Sequence, residues 1–148
     1  MKRQHTLRKV SHLILCALLV FFAASVVHAE EKVIRILYVN DFHGFAEPYK
    51  PLGSQKLLGG IAYLAGKADR LRKERPSLLL SAGDMIQGNS WANLFGGKSV
   101  IELMNVMGFD AMEVGDHEFD FGQEALKKRI SEARCPVIGA NVDTFPSL

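Results

Sequence analysis

Four short apolar runs, each separated from the next by a stretch of helical periodicity, constrain this chain more than any other feature. They are "VIRILYVND" from Val33, "SLLLSAGD" from Ser77, "AMEVGD" from Ala111 and "PVIGANV" from Pro136. Runs of this length, rich in β-branched residues and closed by turn residues, predict strands. Between the first two, Ile61, Leu64, Ala65, Ala68 and Leu71 recur at helical spacing, with Lys67, Asp69, Arg70 and Arg72 opposite. That pattern predicts an amphipathic helix lying on a sheet. The segment from about Ser99 to Met107 is apolar nearly all round, which predicts a well-buried helix, and Ser99 with Glu102 has capping-box spacing. A third helix is expected from about Gln123 to Ala133, with Leu126 and Ile130 inward and Lys127, Lys128 and Arg129 outward. Strand and helix in strict alternation imply an α/β fold with right-handed crossovers and a mainly parallel sheet.

The first 29 residues are expected to lie outside this domain. Lys2, Arg3, Arg8 and Lys9 form a basic start, Leu13 to Val27 form an apolar run, and "VHA" ending at Ala29 offers a small-residue cleavage site. Together these predict a signal peptide over 1–29, and hence an exported protein, periplasmic or extracellular, with residues 30–148 as the mature part. An uncleaved anchor fits less well, because the apolar run is shorter than the roughly 20 residues that span a bilayer. A lipoprotein signal at Cys16 is disfavoured by Leu15 where a small residue is wanted.

Removing this segment reverses the charge argument. The 148-residue chain has 18 Lys and Arg against 16 Asp and Glu, but four of the cations and none of the anions precede Glu30. The mature part therefore carries 14 against 16, a net charge of −2. A basic chain average that resides in the leader is no sign of nucleic-acid binding, and after cleavage no membrane partner is expected. Cys135 is left without a second cysteine and reads as a small buried residue at the start of a strand.

In parallel sheets ligands gather beyond the carboxyl ends of the strands. The polar residues of this chain concentrate there: "NDFHG" after the first strand, "AGDMIQGN" after the second, "GDHEFD" after the third, "GANVD" after the fourth. Asp41 and His43, two apart, face the same side if the backbone stays extended, and a carboxylate with an imidazole can grip one borderline metal. Asp84 follows Gly83, which lets the backbone turn closely, and one carboxylate can bridge two cations. Asp116 is a candidate ligand for a second ion. His117 can reach toward a bound phosphate, with Asp120 three residues on to hold and charge its ring. Asp120 is also placed to cap the following helix with Gln123 in box spacing. Glu118 reads as a solvated or loop-stabilising charge.

The blocks "NDFHG", "GGIAYLA", "AGDMIQGN", "VGDHEFDFG" and "ANV", in this order across Val33 to Val142, resemble the N-terminal part of the calcineurin-like metallophosphatase domain, in particular of secreted bacterial 5'-nucleotidases and UDP-sugar hydrolases. The resemblance implies the N-terminal half of a four-layer α/β/β/α sandwich and a metal-dependent phosphoesterase that hydrolyses phosphate from nucleotides. It implies two divalent ions of the Zn, Mn, Fe or Co kind, with Asp41 and His43 on the first, Asp84 bridging and Asp116 on the second. His117 and Asp120 would make the catalytic contacts to phosphate.

Two departures stand out. Relatives usually carry Asn where this chain has Asp116, which adds a charge and removes an amide donor. The family also takes further histidines from a later half of the domain and binds its nucleoside in a C-terminal domain, whereas no His follows His117 here. The sequence, stopping at "DTFPSL" just after a strand, therefore reads as a partial catalytic domain. The alternative is a non-catalytic truncated fragment that binds metal weakly without turnover.

Overall fold

A computed structural model describes residues 12–16 and 31–142 of the chain. Most of the expected signal peptide lies outside the described residues. Among the described residues no helix is long and apolar enough to cross a membrane.

From Val33 onward the alternation expected from the sequence is present. Strand β1 (Arg35–Val39) leads through helix α1 (Ile61–Glu74) to β2 (Ser77–Ser81). Helices α2 (Ser90–Leu94) and α3 (Lys98–Met107) precede β3 (Ala111–Glu113). A single 3-10 turn (His117–Phe119) and helix α4 (Gln123–Glu132) lead to β4 (Val137–Ile138). The strands form one sheet in the order β1-β2-β3-β4, every pairing parallel, with Leu37 opposite Leu79 and Met112 opposite both Ser81 and Val137.

One sheet face is covered. Leu37, Val39, Leu79, Met112 and Val137 pack with Ala65 and Ala68 of α1, Ala92 of α2, and Val100, Ile101, Met104 and Met107 of α3. The other face carries Ile36, Tyr38, Leu78 and Ile138, all exposed. Sheet plus one helical layer is the α/β half of the α/β/β/α arrangement. In a strand, side chains alternate between faces, so apolar residues on both predict burial on both.

Several local expectations change on packing. The helix α2 was not legible, being only five residues long. Ser99 is not a cap: α3 starts one residue earlier behind Gly97 in the left-handed conformation, and the Ser99 hydroxyl donates to Trp91 O at 3.4 Å. Arg129, expected outward, is buried and donates to the carbonyls of Phe95 and Gly96, with its Nε 3.0 Å from Glu132 Oε2. A guanidinium with five donors satisfies carbonyls left over behind α2, and that need overrides the polarity pattern. Arg72 does the same at the end of α3, donating to Met107 O at 2.7 Å and to Gly108 O. Cys135 is half-buried two residues before β4, and burial pushes its thiol pKa up, the opposite of a reactive thiolate.

Candidate metal centre

The tips of β1, β2 and β3 are laced together before any side chain is considered. His43 N–H donates to Asp84 O at 3.0 Å, Gly44 N–H to Met85 O at 3.1 Å, and Asn89 N–H to His43 O at 2.7 Å. Among the described residues, the three non-glycine residues with positive φ are Asp41 (52°), His43 (48°) and Asp84 (55°). Left-handed backbone costs roughly 1–2 kcal/mol per residue, and such outliers cluster where a site over-determines the chain. The expectation that Asp41 and His43 share a side because the backbone is extended therefore fails in its premise. A tight turn, not a strand, brings Asp41 Oδ1 to 3.7 Å from His43 Nε2.

His43, Asp84 and His117 converge: one ligand atom from each lies within 4.8 Å of the others. The rings of His43 and His117 meet edge to face with centroids 5.1 Å apart. His43 Nδ1 is 2.9 Å from Gln87 O. A carbonyl only accepts, so Nδ1 carries the proton and Nε2 is the ring atom open to a ligand. His117 differs in its partner, since its Nδ1 is 2.8 Å from the Asp120 carboxylate. Its backbone N–H also donates to Asp84 Oδ1 at 3.3 Å.

Asp41 joins the cluster through His43, with its other oxygen held by Asn40 Nδ2 at 2.7 Å. Asp116 is exposed and stands outside the converging trio, though its charge acts on the His117 ring. His117, expected to serve phosphate rather than metal, is inside it. Asp120 holds His117 and does not cap α4, whose N-cap is Gly122 without a side-chain hydrogen bond. The His43 imidazole and the Asp84 carboxylate are mixed nitrogen and oxygen donors of the kind that suits divalent Zn, Mn, Fe or Co, and the His117 ring stands beside them.

Glu118 is the residue at the strand tips whose part the sequence did not single out. Its side chain is fully buried and its oxygens accept backbone N–H groups from Asp84, Met85, Ile86 and Gly115. Of the two readings left open for it, solvation is wrong and loop stabilisation is right. The one signal available was negative: no Lys or Arg occurs between Lys98 and Lys127 to pair with it.

The hydrogen bond that His117 Nδ1–H donates to Asp120, opposed by desolvation and helped by the charges of Asp116, Asp120 and Asp84, raises the His117 pKa above the ordinary value near 6.5. In metal-free protein, an NMR titration should show the His117 ring losing its proton above that value. Asp120→Asn should move the midpoint down, because an amide no longer favours the cationic ring; an unmoved midpoint would break the pairing argument.

The structure is thus a one-sided parallel α/β layer with imidazoles and carboxylates gathered at its strand tips. The model of the calcineurin-like phosphoesterase family matches residues 34–146, and the chain belongs to that family of metallophosphoesterases. Bovine 5'-nucleotidase is 38% identical over 116 residues, 74% of this chain and 20% of that protein. The structure of Haemophilus influenzae NAD nucleotidase covers 72% of this chain and 20% of its own, with 37% identity and a TM-score of 0.66. A 5'-nucleotidase precursor from Thermus thermophilus covers 73% of this chain and 22% of its own, with 33% identity and a TM-score of 0.69. The chain spans about a fifth of the length of these relatives.

Proposed function

We propose that this chain supplies the strand-tip ligands of a two-ion site that hydrolyses phosphate monoesters of nucleotides, outside the cytoplasm. The convergence of His43, Asp84 and His117, with Asp41 alongside, is the observation that carries the reading. Asp41 and His43 would hold the first ion, Asp84 would be shared and Asp116 would reach the second. Bound there, divalent ions supply a water-derived nucleophile at neutral pH and positive charge against the phosphoryl oxygens.

The different partners of the two histidines support different roles. A metal ligand needs a free imidazole nitrogen, and the Gln87 carbonyl, by occupying Nδ1–H of His43, leaves Nε2 as the atom for that role. The Asp120 carboxylate favours a cationic ring at His117, whose Nε2–H can then donate to a phosphoryl oxygen or to the departing alkoxide. Export is supported by the charge and hydropathy of the first 29 residues. A nucleoside monophosphate is the first substrate to test, on the strength of the 5'-nucleotidase relatives.

The purified chain should release phosphate from AMP and p-nitrophenol from p-nitrophenyl phosphate when Mn²⁺ or Zn²⁺ is added, and stop on chelation. No release with any divalent ion would reject catalysis by this chain and leave the weakly metal-binding fragment.

Asp116 adds a charge where an anionic substrate must approach. Two unit charges about 4 Å apart interact by roughly 1 kcal/mol in water-like surroundings, and Asp116 is exposed. Asp116→Asn should therefore raise turnover about fivefold at matched metal occupancy. Unchanged or lower turnover, measured with metal content quantified, would count against the argument.

A further inference from the structure

We infer that Glu118 is a positioning residue for the metal site: its buried carboxylate sets the direction in which Asp84 is presented. The inference rests on Asp84 being a ligand, as proposed above. Glu118 Oε1 accepts from Met85 N–H at 2.7 Å and Ile86 N–H at 3.3 Å. Its Oε2 accepts from Asp84 N–H at 2.9 Å and Gly115 N–H at 2.7 Å. Four donors match the roughly four lone-pair sites of a carboxylate.

Three of those donors are consecutive, on Asp84, Met85 and Ile86, and Asp84 is in the left-handed conformation. Successive amides turned inward in this way form a concave nest for an anion. Here the chain supplies the anion itself, from the next strand tip. The fourth donor, Gly115, lies beside Asp116, so the same side chain fastens the loops that carry both acidic candidates. His117 N–H on Asp84 Oδ1 adds a second tie between them.

Packing alone does not call for a carboxylate at a fully buried position, because removing its charge from water is costly. What an apolar residue of that size lacks is the capacity to hold the three amides of residues 84–86 in register. The left-handed turn at Asp84 would then relax, and its oxygens would leave the position they share with His43 and His117.

Cobalt(II) binding to the whole chain, followed by visible absorption, separates positioning from general stability. Glu118→Gln keeps the shape but turns an NH2 group toward amide donors. It should weaken cobalt binding about 10- to 100-fold, the range seen when groups that orient metal ligands are removed, and should alter the absorption band. Leu126→Ala, in the buried face of α4, is the control: it should lower Tm at least as much while binding cobalt like the parent. Parent-like cobalt affinity in Glu118→Gln would overturn the inference, as would an affinity loss in Leu126→Ala that follows its loss in Tm. Should Glu118→Gln fail to fold, Glu118→Asp reads the same tie, because it keeps the charge but draws it back by one methylene from the amides of residues 84–86, and unchanged cobalt affinity there would equally overturn the inference. A parent chain that takes up no cobalt would instead defeat the metal-site reading itself.

Discussion

Asp84→Asn is expected to lower metal-dependent release of p-nitrophenol by about a thousandfold and to leave the purified chain short of metal. Asp84 is the carboxylate in the trio that converges within 4.8 Å, and in the proposed site it is shared by both ions. Losing that charge weakens both ions together, and Lewis-acid stabilisation of several kcal/mol corresponds to about three powers of ten in rate. Asn is the informative replacement. It tolerates the left-handed backbone that Asp84 adopts at φ 55°, and its amide oxygen can still accept from His117 N–H. The fold should therefore survive, with Tm close to the parent. Activity within tenfold of the parent, at saturating Mn²⁺ or Zn²⁺, would show that the convergence of these side chains has no catalytic meaning.

The parts of this architecture that the sequence revealed are those set by local pattern. Each strand is a short apolar run, α1 has a clear inward stripe from Ile61 to Leu71, and every acidic or histidine candidate but Asp120 sits within four residues of a strand end. Parallel pairing then brings those ends to one edge, so Asp41, His43, Asp84, Asp116, His117 and Asp120 could be nominated together without coordinates, although of these His43, Asp84 and His117 form the converging trio.

The parts that stayed hidden depend on partners distant in sequence. Glu118 is bonded to amides 32 to 34 residues away, and Arg129 to carbonyls 33 and 34 residues away. A polarity pattern sees only the charge of such residues and places them outside. Backbone conformation was equally illegible at Asp41 and His43, where a left-handed turn does the work assigned to an extended strand. Local capping rules failed at Ser99 and Asp120 for a related reason. Each side chain had a better acceptor or ring to bind than the helix end nearest to it.

Gly83→Ala is expected to cost about 2–5 kcal/mol of stability, adding roughly 1–2 for a left-handed backbone to roughly 1–3 for overpacking. Gly83 has φ +96°, and a Cβ there would lie 2.9 Å from Gly115 N and 3.0 Å from Gly115 Cα. Both obstacles are backbone atoms, so no rotamer change relieves them. Gly83 and Gly115 each precede an acidic candidate, Asp84 and Asp116, and their contact is what allows the tips of β2 and β3 to close. Wedging them apart stretches the Glu118 bonds that span the same gap. The variant should therefore lose metal affinity as well as stability. Denaturant unfolding of metal-free protein measures the first loss and a cobalt titration the second. A Gly83→Ala chain as stable as the parent, binding cobalt equally well, would show that the strand tips have room to spare and that their close approach is incidental to the site.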